Sequence, residues 1–146
     1  MNLSKCCKIT QAITSAAGVA AATDLNGATL DMQGFESVLM TVVFGVITSG
    51  AVTGIRAQQD TASGMGTAAD LLGTAQVVAD DDDEKTFYID LVKPAERYVR
   101  LVVDRATQNA VVASATYIQY SARVLPVTHG SNVSGETHVS PAEGTA

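Results

Sequence analysis

Residues 85–105, KTFYIDLVKPAERYVRLVVDR, decide the fold class. Phe87, Ile89 and Leu91 alternate with Thr86, Tyr88 and Asp90, and Val99, Leu101 and Val103 alternate with Tyr98, Arg100 and Val102. Successive side chains of a strand point to opposite faces, so a period of two buries one face of each run. Pro94 stands in the short link between the runs, and the pair predicts an antiparallel hairpin with one buried face. Neither apolar side carries a catalytic group, so the segment reads as scaffold.

Similar patterns extend in both directions. Residues 38–47, VLMTVVFGVI, are apolar on both faces, which predicts a central strand covered on each side. Ser49-Gly50 marks a turn, and residues 51–59 read as the antiparallel neighbour of that strand. The glycine-rich stretch DTASGMGTAADLLGT is a loop. Within it one helical turn is expected over residues 67–72, with Thr67 as cap and Asp70 three positions on. Residues 76–79 make a short strand, and residues 110–123 make a long final one after a turn at 107–109. Asn26-Gly27 is a further turn, leading into a short extended piece at 28–32. About eight short strands with compact turns predict an all-β fold, an antiparallel β-sandwich or jelly roll. Residues 1–13 form an N-terminal arm or edge strand, residues 14–125 the sandwich, and residues 126–146 an extended C-terminal tail without a core-forming pattern.

The composition fits one domain. A chain of 146 residues buries about two-thirds of its surface on folding, enough for one core. With no Trp, 3 Phe and 4 Tyr, that core is aliphatic. Charged residues are 16% of the chain, against about 25% in an ordinary soluble domain, which implies that a partner or symmetry mate covers part of the surface. The net charge of −6 and the scattered basic residues argue against nucleic acid as a partner. No apolar run approaches the about 20 residues of a membrane-spanning helix, and the N-terminal segment lacks the compact apolar region of a secretory signal. Cys6 and Cys7 are adjacent and provide no disulfide framework, which suits a reducing cytoplasm.

Few residues suggest chemistry. The run Asp80-Asp81-Asp82-Asp83-Glu84 offers several oxygens to a hard cation, but it lacks the alternating spacing of a calcium loop. A solvated turn or charge-complementary contact is the expected role. His129 and His138 have neither a cysteine nor a third histidine near them, so no zinc set forms and no metal or other cofactor is expected. The serines sit in no nucleophile elbow, and Ser63-Gly64-Met65-Gly66 is not followed by the Gly-Lys-Ser/Thr of a phosphate loop. Arg97, Tyr98 and Arg100 suit an anion or carbohydrate site, or more simply a cross-strand charge ladder. The expectation is a protein that is not an enzyme.

The series DMQGFESVLMTVVFG, AQQD, ADLLGT and VKPAERYVRLVVDR, with the ending VTHGS…HVSPAEGTA, resembles small virion structural proteins of tailed-phage head modules. That resemblance implies a jelly-roll or sandwich subunit on the phage particle, specifically a head decoration (cement) protein. Such a subunit binds the outside of the major capsid shell, forms homotrimers, and is made in the cytoplasm of the bacterial host. Alternative posts are a tail or head–tail connector subunit, and a carbohydrate-binding jelly-roll module is a third reading. No catalytic residue is carried over. The expected partner-binding residues lie at the two ends of the chain: Lys5, Lys8 and Ile9, and Val127, His129, Val133, His138, Val139 and Pro141. Extended ends of this kind gain order by adding strands or lying in grooves of a neighbour.

Overall fold

The computed structural model describes residues 2–14, 19–140 and 142–144. A single helical turn, α1 (Leu3–Cys6), precedes β1 (Lys8–Ile13). Two two-residue strands follow, β2 (Leu25–Asn26) and β3 (Leu30–Asp31), and then the long β4 (Phe35–Ile47) and β5 (Val52–Asp60). After the short β6 (Ala69–Asp70) and β7 (Gln76–Val78) come β8 (Thr86–Val92), β9 (Tyr98–Ala106) and β10 (Ala110–Ala122).

These segments build an antiparallel β-sandwich. The first sheet runs β1-β10-β4-β8. In the second, β2 and β3 share one flank of β9, β5 lies on the other, and β6 and β7 share the far flank of β5. Counting each split strand once leaves eight positions, and the chain changes sheet at every step but one, from β5 to the β6–β7 position paired beside it. That wrapping is the jelly-roll order.

The alternating runs of residues 85–105 are strands, but they do not form the expected hairpin. β8 pairs only with β4 in the first sheet, and β9 pairs with β5, β2 and β3 in the second. The five-residue link 93–97 is an arch between sheets. Lys93 starts it at φ 51° and donates its N–H to Glu36 O, still on the first sheet; Arg97 O accepts from Met32 N on the second. A hairpin would leave the apolar sides of both strands on one face. The arch instead turns them toward each other across the sandwich, where both are buried. For the same reason β4 and β5 do not pair, and the turn at residues 48–51 also changes sheet.

The core lies between the sheets. Val38, Met40, Val42 and Phe44 of β4, Ile89 of β8, and Ala115 and Tyr117 of β10 face Ile55, Ala57, Val99, Leu101 and Val103. Phe44 meets Phe87 edge to face, with ring centres 5.7 Å apart. β4 is central but covered on one side only: outward-facing Leu39, Thr41 and Val43 are half-buried. The helical turn expected over residues 67–72 is absent. Buried Asp60 accepts the N–H groups of Ala62 and Thr67 at 2.9 and 2.8 Å, together with the Thr67 hydroxyl. Thr67 is thereby committed to Asp60 rather than to a helix end, and Ala69–Asp70 pairs with Gln58 and Gln59 as β6.

Candidate interaction surface

The two outer faces of the sandwich differ in chemistry. On the second sheet, register places Arg56, Gln58, Arg100 and Asp104 on the outside, and they form a ladder with Asp70. Arg56 pairs with Asp70 at 2.9 Å and with Asp104, and Gln58 links Asp70 to Arg100. The Gln58 amide, and after it the Arg56 guanidinium, hold the Asp70 carboxyl below its usual range. Arg97 forks onto both oxygens of Asp31 at 2.8 and 2.7 Å and stacks over Tyr98 at 5.1 Å. That fork lowers the Asp31 pKa. The arginines singled out from the sequence therefore take part in cross-strand contacts.

The first sheet presents almost no charge. Its register stacks Ile9, Ile118, Leu39 and Asp90 in one outward row, and Gln11, Thr116, Thr41 and Tyr88 in the next. Tyr120, Ser37 and Val92 flank the first row, and Ser114, Val43 and Thr86 extend the second. Asp90 is the one ionisable carboxylate among these residues, and the Tyr120 hydroxyl donates to it at 2.6 Å. Tyr88 and Val92 are more than 60% exposed. An apolar and hydroxyl-bearing sheet face of this kind is a candidate interaction surface. Sequence reading assigned the outward residues of β4 to a buried side and so passed over this face.

At the β1 end of the same sheet, the two chain ends meet. Lys5 O accepts from Val127 N at 2.9 Å, and Ile9 N donates to His129 Nδ1 at 3.2 Å. His129 Nε2 lies 3.0 Å from Ser4 O, and the hydroxyls of Ser4 and Thr137 are 2.9 Å apart. Lys5, Ile9, His129 and Val133 line a cleft of about 760 Å³ with Ser134, Gly135 and Glu136. Of the residues expected to bind partners, Lys5, Ile9, Val127, His129 and Val133 thus converge. Lys8 stands beside them, opposite Gln119. His138 pairs with Glu136 in the tail at 3.2 Å, Val139 is exposed, and Pro141 lies outside the described residues. Ser4 and Thr137 were not foreseen, because contacts between residues more than a hundred positions apart leave no local pattern.

The acidic run works as a loop fastener. Asp80 accepts from Gly50 N and Asp83 from Ile47 N, each at 2.7 Å, so both hold the β4–β5 turn. Asp82 accepts from Ala79 N at 2.9 Å and pairs with Lys85, whose ammonium is the main cause of its lowered pKa. Among the described residues no group of three or more His, Cys, Asp or Glu is placed to hold a metal ion, and no helix is long and apolar enough to cross a membrane. A second cleft, about 510 Å³, opens at the arch end between Phe35, Lys93, Pro94, Arg97 and Arg123. Glu36 and Glu96 line it as well, so its charge is mixed.

No family model matches the chain, and neither a curated protein nor a solved structure matches it.

Proposed function

We propose that this chain is a head decoration protein of a tailed phage, docking on the outside of the major capsid shell through the outer face of its first sheet. The observation that carries the reading is the asymmetry of the two outer faces. One carries, beside exposed Val52 and Val77, a polar ladder whose charges are mutually satisfied and suit solvent. The other is nearly uncharged, with Ile9, Tyr88 and Val92 exposed, and suits burial against protein. A jelly roll is compatible with capsid subunits, lectins and other roles, so the fold alone supports the reading only by analogy. The resemblance to head-module proteins adds the identity of the shell. Many equivalent copies, trimers among them, turn a modest contact into firm coating through avidity.

The test is cryo-EM of the intact particle that carries this chain, paired with shell binding by variants. The expected map shows the protein repeated over the shell lattice with the β4–β10 face inward. Thr41→Lys and Tyr88→Lys, which place a cation in the centre of that face, should abolish coating while leaving the melting temperature within a few degrees. Density confined to a single ring at one vertex would assign the chain to the connector instead. Full coating by both lysine variants would dismiss this face as the contact.

A further inference from the structure

We propose that the C-terminal tail is a removable cover over the free edge of β1, and that His129 is the pin that holds it and lets go on protonation. β1 is the outermost strand of the first sheet, paired on one side only, with β10. Its Ile9 stands opposite Ile118, and the Ile9 N–H points away from β10. A backbone donor on an open edge is a template for another strand unless something occupies it. Here the occupant is His129.

The geometry fixes the state of the ring. A backbone N–H can only donate, so His129 Nδ1 must carry a lone pair to accept from Ile9 at 3.2 Å. Ser4 O can only accept, so Nε2 must carry the proton, at 3.0 Å. Both contacts together require the neutral imidazole with its proton on Nε2. A second proton would go onto Nδ1 and set two donors against each other. Histidine is the side chain suited to such a switch, and the pin opens as the solution is acidified. Among the described residues, the remaining hydrogen-bonded fastenings are Val127 N to Lys5 O and the Ser4–Thr137 hydroxyl contact, and neither titrates. Among the described residues, the charged groups that line the cleft with the ring are Lys5 on α1 and Glu136 on the tail. Neither alters which ring nitrogen must accept from Ile9 N. The partner of His138 is Glu136 within the tail, so His138 does not fasten the tail to the body. The inference rests on the contacts at the β1 edge and holds whether or not the protein coats a shell.

Amide hydrogen exchange by NMR on the full chain tests it, with rates expressed as protection relative to the unstructured amide at each pH. Between pH 7.5 and 5.0 the protection of Ile9 and Val127 should fall by about tenfold, the equilibrium effect of losing one such hydrogen bond, while Leu101 and Tyr117 stay unchanged. His129→Ala should show the low protection at both pH values. His129→Gln keeps an acceptor and a donor that do not titrate, and its protection should not respond to pH. His138→Ala should respond as the native chain does. Equal protection at both pH values in the native chain, a pH response in His129→Gln, or its disappearance in His138→Ala would each overturn the proposal.

Discussion

Tyr117 reaches from the first sheet across the core to the backbone of the second. Between β2 and β3 the chain leaves the flank of β9, and the Leu101 N–H there donates to the Tyr117 hydroxyl at 2.9 Å. Gly27 N closes the same gap by donating to Leu101 O. Gly27 has no room for a side chain: a Cβ would lie 2.5 Å from the Tyr117 hydroxyl and 3.0 Å from Leu101 O. Tyr117→Phe should therefore cost about 1–3 kcal/mol in urea unfolding at pH 7, because it leaves a buried amide without a partner. Gly27→Ala should be strongly destabilising in the native background and less so on top of Tyr117→Phe, where the obstructing oxygen is gone. Additive effects in that double-mutant cycle would refute the packing argument. The hydroxyl also has an alkaline signature. Burial pushes the phenol up to about 12, whereas the unfolded chain releases the proton near 10. The folded state therefore favours the neutral form. Its contribution is complete below pH 10 and is lost as pH rises through 12, by about 3 kcal/mol in all. The stability advantage of the native chain over Tyr117→Phe should accordingly narrow between pH 10 and 12.

At the scale of elements, the loops of the arches do much of the positioning. Asp80 and Asp83 hold backbone amides of the β4–β5 turn, whereas the exposed Asp81 side chain makes no hydrogen bond among the described residues. Asp80→Ala and Asp83→Ala should each lower stability by about 1 kcal/mol, and Asp81→Ala should leave it unchanged. Thermal unfolding with and without millimolar calcium separates this from a cation site: a calcium-dependent rise in melting temperature that these alanine variants lose would contradict the fastener role. The same loops mark the limit of what the sequence revealed. Alternation in residues 85–105 located β8 and β9 and named their buried sides, because a strand's periodicity depends only on which face meets the core. It did not distinguish a neighbour in the same sheet from a strand facing it, since both arrangements bury one side of each run. Pairing depends on whether the link is long and bent enough to cross between sheets about 10 Å apart. The arch begins at Lys93, which adopts a left-handed φ that no Gly or Asn announces. Thr67 misled in another way, because a helix cap and a ligand for Asp60 require the same hydroxyl and the same amide. The tail–arm cleft had one legible ingredient, residues suited to contacts at each end of the chain, while their meeting with each other was set by β1 lying at the sheet edge.

For the molecule as a whole, the sandwich and its ends are separable layers of stability. Among the described residues, no member of the hydrophobic core lies beyond Tyr117, and the tail touches the body through a few exposed or half-buried hydrogen bonds. Elements held in this way open at far lower free energy than the central strands. Deleting residues 127–146 should therefore lower the melting temperature by only a few degrees, with near-native circular dichroism. Its larger effect should be on association, because the deletion strips Lys5 O, Ser4 O and the Ile9 N–H of their partners and exposes the β1 edge beside the uncharged face. Natural sheets keep such edges covered or charged to prevent pairing between copies. In sedimentation velocity at neutral pH, the truncated chain should form species larger than those of the full chain, in proportion increasing with concentration. Adding Ile9→Lys, which places a charge at the rim of that edge, should reverse this association. If the truncated chain sediments as the full chain does at every concentration, the tail is not an edge cover. If it loses its cooperative urea transition, the tail belongs to the folded body after all, and the division into a rigid sandwich and a removable strap fails.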